Sequence, residues 1–132
     1  MSDAALPPRV QRFLEAHIES IEKLEVLLLL RNQPARIWTA GAVAQELRIM
    51  EASASGRLED LCARGLIVCE AGTPPPYRFA PRLSEDSQAV TELAATYAQR
   101  RVSVISFIFS KPTDRLKSFA DAFRLKKGPS DG

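Results

Sequence analysis

Histidine and cysteine, the residues from which metal centres and thiol chemistry are built, are scarce in this 132-residue chain: one histidine, His17, and two cysteines, Cys62 and Cys69. The cysteines have no CxxC spacing and no histidine beside them, which argues against a zinc site or a disulfide framework and leaves two reduced, mostly buried thiols. No metal and no cofactor is implied. A charge excess is missing too: 18 Lys and Arg against 16 Asp and Glu give a net +2, far from the strongly basic balance that by itself marks a nucleic-acid binder. Long apolar runs are absent. The densest, Val26 to Leu30, is flanked by Glu25 and Arg31 and is much too short to cross a bilayer. The opening MSDAALPPR has an acidic residue and two prolines where a signal peptide needs a basic start and an apolar run. A soluble, cytoplasmic protein with no membrane span is expected. The chain also lacks a Gly-rich phosphate loop, HExxH, GxSxG and paired catalytic carboxylates, so it is not expected to be an enzyme.

What is present is helical patterning around one compact unit, with 45% hydrophobic residues, no internal repeat and no second compact domain. After Pro7 and Pro8, the positions Val10, Phe13, Leu14, His17, Ile18, Ile21, Leu24, Leu27 and Leu28 recur at three- and four-residue intervals, which predicts one long amphipathic helix ended by Asn32, Gln33 and Pro34. Its last turns, Val26 to Leu30, are apolar on every side and should be surrounded by protein. Arg36 to Trp38 form a short extended link, with Trp38 filling the junction between helices and strands. Thr39 caps a helix over Ala40 to Leu47. Glu51 to Arg64 form the next helix, with Ala54, Leu58, Leu61 and Cys62 on one face and Gly65 at its left-handed terminus. Leu66 to Glu70 and Tyr77 to Ala80 read as strands joined by the tip GTPPP.

Helix, turn, helix, then hairpin is the order of a winged helix-turn-helix. The fold expectation is mainly α with a small β-hairpin, extended by long N- and C-terminal helices. From Ser84, Glu85 and Asp86 a second long helix should run to about Ser110, with Arg100 and Arg101 interrupting it midway. Beyond Pro112, the residues Leu116, Phe119, Ala120 and Phe123 mark a short amphipathic helix. Residues 1–9 are then a flexible start, 10–82 the winged domain, 83–127 a C-terminal helical segment for dimerisation or a partner, and 128–132 a loose tail.

The segment SASGRLEDLCARGLI resembles the recognition helix and first wing strand of bacterial winged-helix regulators, particularly the MarR-like group, over about a third of the chain. Ser53, Ser55 and Arg57 hold the opening positions of that helix, and Leu58, Leu61, Gly65, Leu66 and Ile67 the buried ones. The resemblance implies a DNA-binding transcriptional regulator: a homodimer whose second motif helix, about 51–64, enters the major groove of double-stranded DNA while the wing, about 66–80, lies on the backbone. The DNA-facing candidates are Arg48, Ser53, Ser55, Arg57, Arg64 and Arg78. Small hydroxyl residues let the helix approach closely, and an arginine can grip a guanine edge with two hydrogen bonds. Terminal helices join two subunits in that group, which makes Phe13, His17, Ile21, Val90, Leu93, Tyr97, Val104, Ile105, Ile108 and Phe109 the candidate seam with a second copy or another partner. A positive strip across Arg48, Arg57, Arg64 and Arg78 would favour DNA, and a patchwork would favour protein.

Three features motivate the alternative, a winged-helix protein-interaction module with weak or no DNA binding. Gly56 sits within the second helix, Glu51, Glu59 and Asp60 put negative charge on it, and the wing tip Gly72 to Pro76 carries no basic residue. A small-molecule effector pocket lined by Trp38, Tyr97, Phe107 and Phe109 is a weaker third reading. The stretch RRVSVISFIFSKPTDRLKSFADAFRLKK, an apolar run with a basic flank followed by an amphipathic basic helix, could also rest on a membrane surface or receive a protein partner.

Overall fold

The computed structural model describes residues 6–110. The amphipathic segment expected after Pro112 and the tail lie outside them. Helix α1 runs over Pro8–His17 and buries Val10, Phe13 and Leu14. It starts earlier than residue 10 because Pro8 occupies the first turn, where its fixed φ fits the helix and its missing N–H is not needed.

The single long N-terminal helix is corrected to two. Ile18 and Ser20 are extended, at φ −119° and −146°, and the chain restarts as α2, Ile21–Asn32. The Ser20 hydroxyl accepts from the Lys23 N–H at 3.1 Å, offering the backbone a capped start in place of a continuous helix. The apolar spacing passes through the break because Ile18 is buried in the core on one side of it and Leu24 on the other. Helix α2 is the centre of the molecule. Leu24, Val26, Leu27, Leu28 and Leu30 are buried, as its all-round apolar end requires.

Helix α3, Ala40–Leu47, is capped by Thr39, whose hydroxyl accepts from Ala42 N–H at 3.1 Å. Helix α4, Glu51–Ala63, ends with Arg64 at its C-cap and Gly65 at φ 78°, a conformation suited to glycine. The side chain of Arg82 lies over Gly65, where an added Cβ would come within 2.8 Å of the guanidinium. Strands β1, Ile67–Cys69, and β2, Tyr77–Phe79, pair antiparallel with Ile67 opposite Phe79 and Cys69 opposite Tyr77. Trp38 is fully buried at the junction, and its backbone exchanges two 2.7 Å hydrogen bonds with Tyr77, which ties the link before α3 to the wing. Cys62 is half-buried and Cys69 exposed, so the pair is less buried than expected.

The second long helix is likewise divided, into α5, Ser84–Gln99, and α6, Arg101–Phe109. Arg100 between them sits at φ −134°, ψ 56°, outside helical space, at the basic interruption seen in the sequence. Helix α5 packs on α1, and α6 packs on both. The two terminal arms therefore cover much of each other's apolar surface within one subunit.

Candidate nucleic-acid interface

The rotation of α4 follows from what it buries. Ala54, Leu58 and Leu61 face the core, so residues 52, 56, 59 and 63 point outward and are exposed. Ser53, Arg57, Asp60 and Arg64 run along one flank, which faces the corner between α1 and α2. The outward face is small: Ala52, Gly56 and Ala63 surround Glu59, with Ser55 beside it and 3.5 Å from the Glu59 carboxylate. A Cβ added at Gly56 would meet nothing among the described residues within 4 Å. No packing among the described residues asks for glycine there.

The flank is a lattice of ion pairs. Lys23, only 2% exposed, donates to Glu19 at 2.7 Å and to Asp60, joining the α1–α2 corner to α4. Arg64 Nε donates to Asp60 at 2.8 Å, and its Nη1 donates to the Ala16 carbonyl at 2.8 Å. Arg57 Nε donates to Glu22 at 2.9 Å, with a Glu19 oxygen 4.0 Å from its Nη1. Burial by itself would raise the carboxyl pKa of Glu19 and of Asp60, but the hydrogen bond and charge of Lys23, joined at Asp60 by Arg64, outweigh it and hold both below their ordinary values. His17 is shifted down from 6.5, chiefly by burial, with Asp86 opposing and Arg64 reinforcing the shift. It stacks at a tilt on Phe13 with 4.9 Å between ring centres.

The expected DNA-facing residues therefore divide. Arg48 is exposed in the turn between α3 and α4, in the left-handed region at φ 60°, ψ 49°, and among the described residues its side chain makes no hydrogen bond or ion pair. Such a conformation in a non-glycine residue costs about 1 to 3 kcal/mol. Ser55 borders the outward face of α4. Ser53, Arg57 and Arg64 lie on the flank, and Arg78 on β2 reaches Glu70 across the wing at 3.8 Å. Three of the four arginines are thus paired with carboxylates, which makes the basic surface a patchwork rather than a strip. Glu19, Glu22 and Lys23 were absent from the sequence-derived site, because their partners on α4 lie 35 or more residues away.

Of the candidate seam residues, Phe13, Val90, Leu93, Tyr97, Val104 and Ile108 are buried inside the subunit. His17, Ile21 and Ile105 are half-buried. Phe109 is 75% exposed, as is Val102 on the same face of α6, and Leu83 is exposed at the start of α5. The four aromatics of the effector reading do not gather around one cavity. Trp38 is sealed in the core, Phe109 is in solvent, and Tyr97 borders an open groove with Leu28, Arg31, Thr91 and Ala94. Among the described residues no helix is long and apolar enough to cross a membrane, and no cluster of His, Cys, Asp or Glu could hold a metal ion.

No protein-family model matches the chain, and no curated protein matches it in sequence. Its fold is similar to that of the YusO protein from Bacillus subtilis, with a TM-score of 0.53 and 14% identity over 92% of this chain and 84% of that one. It is similar also to RV1404 from Mycobacterium tuberculosis, with a TM-score of 0.52 and 18% identity over 91% and 80%. The shared architecture is the winged helix, mostly helical with a two-stranded antiparallel wing.

Proposed function

We propose that this chain is a DNA-binding transcriptional regulator of the MarR-like group, working in the cytoplasm as a homodimer without catalysis. In this reading α4 enters the major groove of double-stranded DNA and the hairpin rests on the neighbouring backbone. The observation that carries it is the outward face of α4. A glycine inside an exposed helix costs about 1 kcal/mol relative to alanine, and Gly56 gains no packing against the described residues in return. Close approach by an external surface accounts for the sacrifice. The strained, unpaired Arg48 at the head of the same helix supports the reading, since it offers an unneutralised cation to a phosphate.

Of Arg48, Arg57, Arg64 and Arg78, only Arg48 is unpaired among the described residues, which gives weak binding, and Glu51 and Glu59 oppose it. Two copies on half-sites one helical turn apart, about 34–36 Å, would supply the missing affinity. The exposed Val102 and Phe109 stripe offers apolar area to the second copy. Selection of fragments from sheared genomic DNA tests the proposal: it expects recovery of a shared palindromic site, and recovery of nothing above background at about 50 mM salt overturns it.

The patchwork of paired arginines favours a second reading, in which the winged unit binds a protein. Glu59 and the exposed Met50 would then meet a basic, partly apolar partner. Loss of DNA capture together with a complex of this chain and one defined protein would select it.

A further inference from the structure

Arg57 is the one arginine inside the proposed recognition helix, yet its guanidinium is turned away from the outward face. It lies against α2, held by Glu22 at 2.9 Å and approached by Glu19 at 4.0 Å. Its side chain is 32% exposed and Glu22 28% exposed, so the pair sits at a boundary that solvent and a ligand can reach. Gly56 stands next to Arg57 in sequence, about 100° round the helix. Among the described residues, none occupies the space where a Gly56 side chain would stand. An open cleft of about 360 Å³ lies there, bordered by Glu19, Lys23, Ser53, Gly56, Arg57 and Asp60. Arg57 therefore has a docked position on α2 and free room beside it toward the outward face.

We infer that Glu22, a residue outside the helix-turn-helix, is a positioning residue for DNA binding: by holding Arg57 on α2 it sets whether the recognition helix presents that charge to a phosphate or base. This rests on the DNA-binding reading and deepens it. A phosphate approaching the flank competes with the Glu22 carboxylate for one guanidinium and is also repelled by the carboxylate itself. Replacing Glu22 by a neutral residue removes both effects. The other arginine on the flank is not equivalent, because Arg64 also donates to the Ala16 carbonyl and is fixed at two points.

The test compares wild type, Glu22→Gln, Arg57→Ala and the double variant in duplex titrations over a salt series, using the genomic fragment that binds best. Thermal melts establish that each variant is folded, and Glu22→Ala serves where Glu22→Gln is not. The expected result is that Glu22→Gln binds several-fold tighter and steepens the plot of log affinity against log salt by up to about 1.8 per dimer, one released counterion set per copy. Arg57→Ala should change little in the wild type and abolish the whole gain in the Glu22→Gln background. Equal affinity and slope for wild type and Glu22→Gln overturn the inference while leaving the DNA reading intact. A gain that survives Arg57→Ala also overturns it, since the effect would then be general charge. Binding by neither wild type nor any variant overturns the DNA reading and the inference together.

Discussion

Replacing Gly56 by alanine should make the protein more stable and a poorer DNA binder. Gly56 lies in the body of α4 on its exposed side, and the new methyl would have open space around it. Nothing offsets the gain in helix propensity, which is about 0.8 to 1.0 kcal/mol. For a chain of this size that corresponds to a rise in melting temperature of about 3–6 °C, between the shifts typical of smaller and larger domains. The same methyl projects from the surface proposed to lie in the groove. Inserting one methyl into a fitted contact costs about 1 kcal/mol or more, and two copies on one duplex would lose about 2 kcal/mol, or about thirtyfold in affinity. The assays are a thermal or urea melt and a fluorescent-duplex titration at fixed salt. The opposed signs make the result diagnostic, because ordinary damage lowers both quantities. A lower melting temperature would refute the packing argument, and a higher one with unchanged affinity would refute the placement of this face against DNA.

Ser20→Ala should remove the hydroxyl that caps α2 and cost about 1 kcal/mol, seen as a lower urea midpoint with an unchanged slope. Trp38→Ala empties a fully buried site at the helix–wing junction and should cost about 3 to 5 kcal/mol, enough to show as loss of cooperative melting at physiological temperature. Glu19 and Asp60 ionise more readily in the fold than in the open chain, so their pairs with Lys23 stabilise the protein above the ordinary values of 4.5 and 3.8 and are lost as pH falls through the lowered ones. Lys23→Met should flatten urea stability across that acid window, and an unchanged pH slope would show that the Lys23 pairs contribute nothing. Burial of His17 lowers its pKa below 6.5, so folding favours the neutral ring; stability should decline as pH drops from 6.5 through the lowered value, and His17→Asn should remove that decline.

The central motif was legible because its punctuation is local. Thr39 caps the helix that starts at Ala40, Gly65 occupies the left-handed terminus of α4, and three prolines fill the wing tip, each acting through neighbours a few residues away. The break at Ser20 was not, since it uses neither glycine nor proline and the apolar spacing continues across it; at Arg100 the basic pair was visible but no glycine or proline marked it as a helix end. Ser20 lacks the glutamate three residues later that would complete a capping box, as Lys23 stands there instead. Dividing the long helices changed the site, because the folded-back arms bury Phe13, Val90, Leu93, Val104 and Ile108 within one subunit and leave Val102 and Phe109 exposed. The directions of Arg57 and Arg64 were half legible. Helical spacing puts them on one flank, whereas the carboxylate that receives Arg57 comes from α2, 35 residues earlier, and periodicity carries no trace of it.

The central claim is that two copies of the winged unit act together on one duplex. Sedimentation of the protein with a selected duplex, repeated from about 50 to 200 mM salt, tests it most directly. The account expects a complex of two chains per duplex whose affinity falls as salt rises, with Arg48→Ala reducing the salt slope by about 1.8. A single chain per duplex, or binding indifferent to salt and to Arg48, would contradict it.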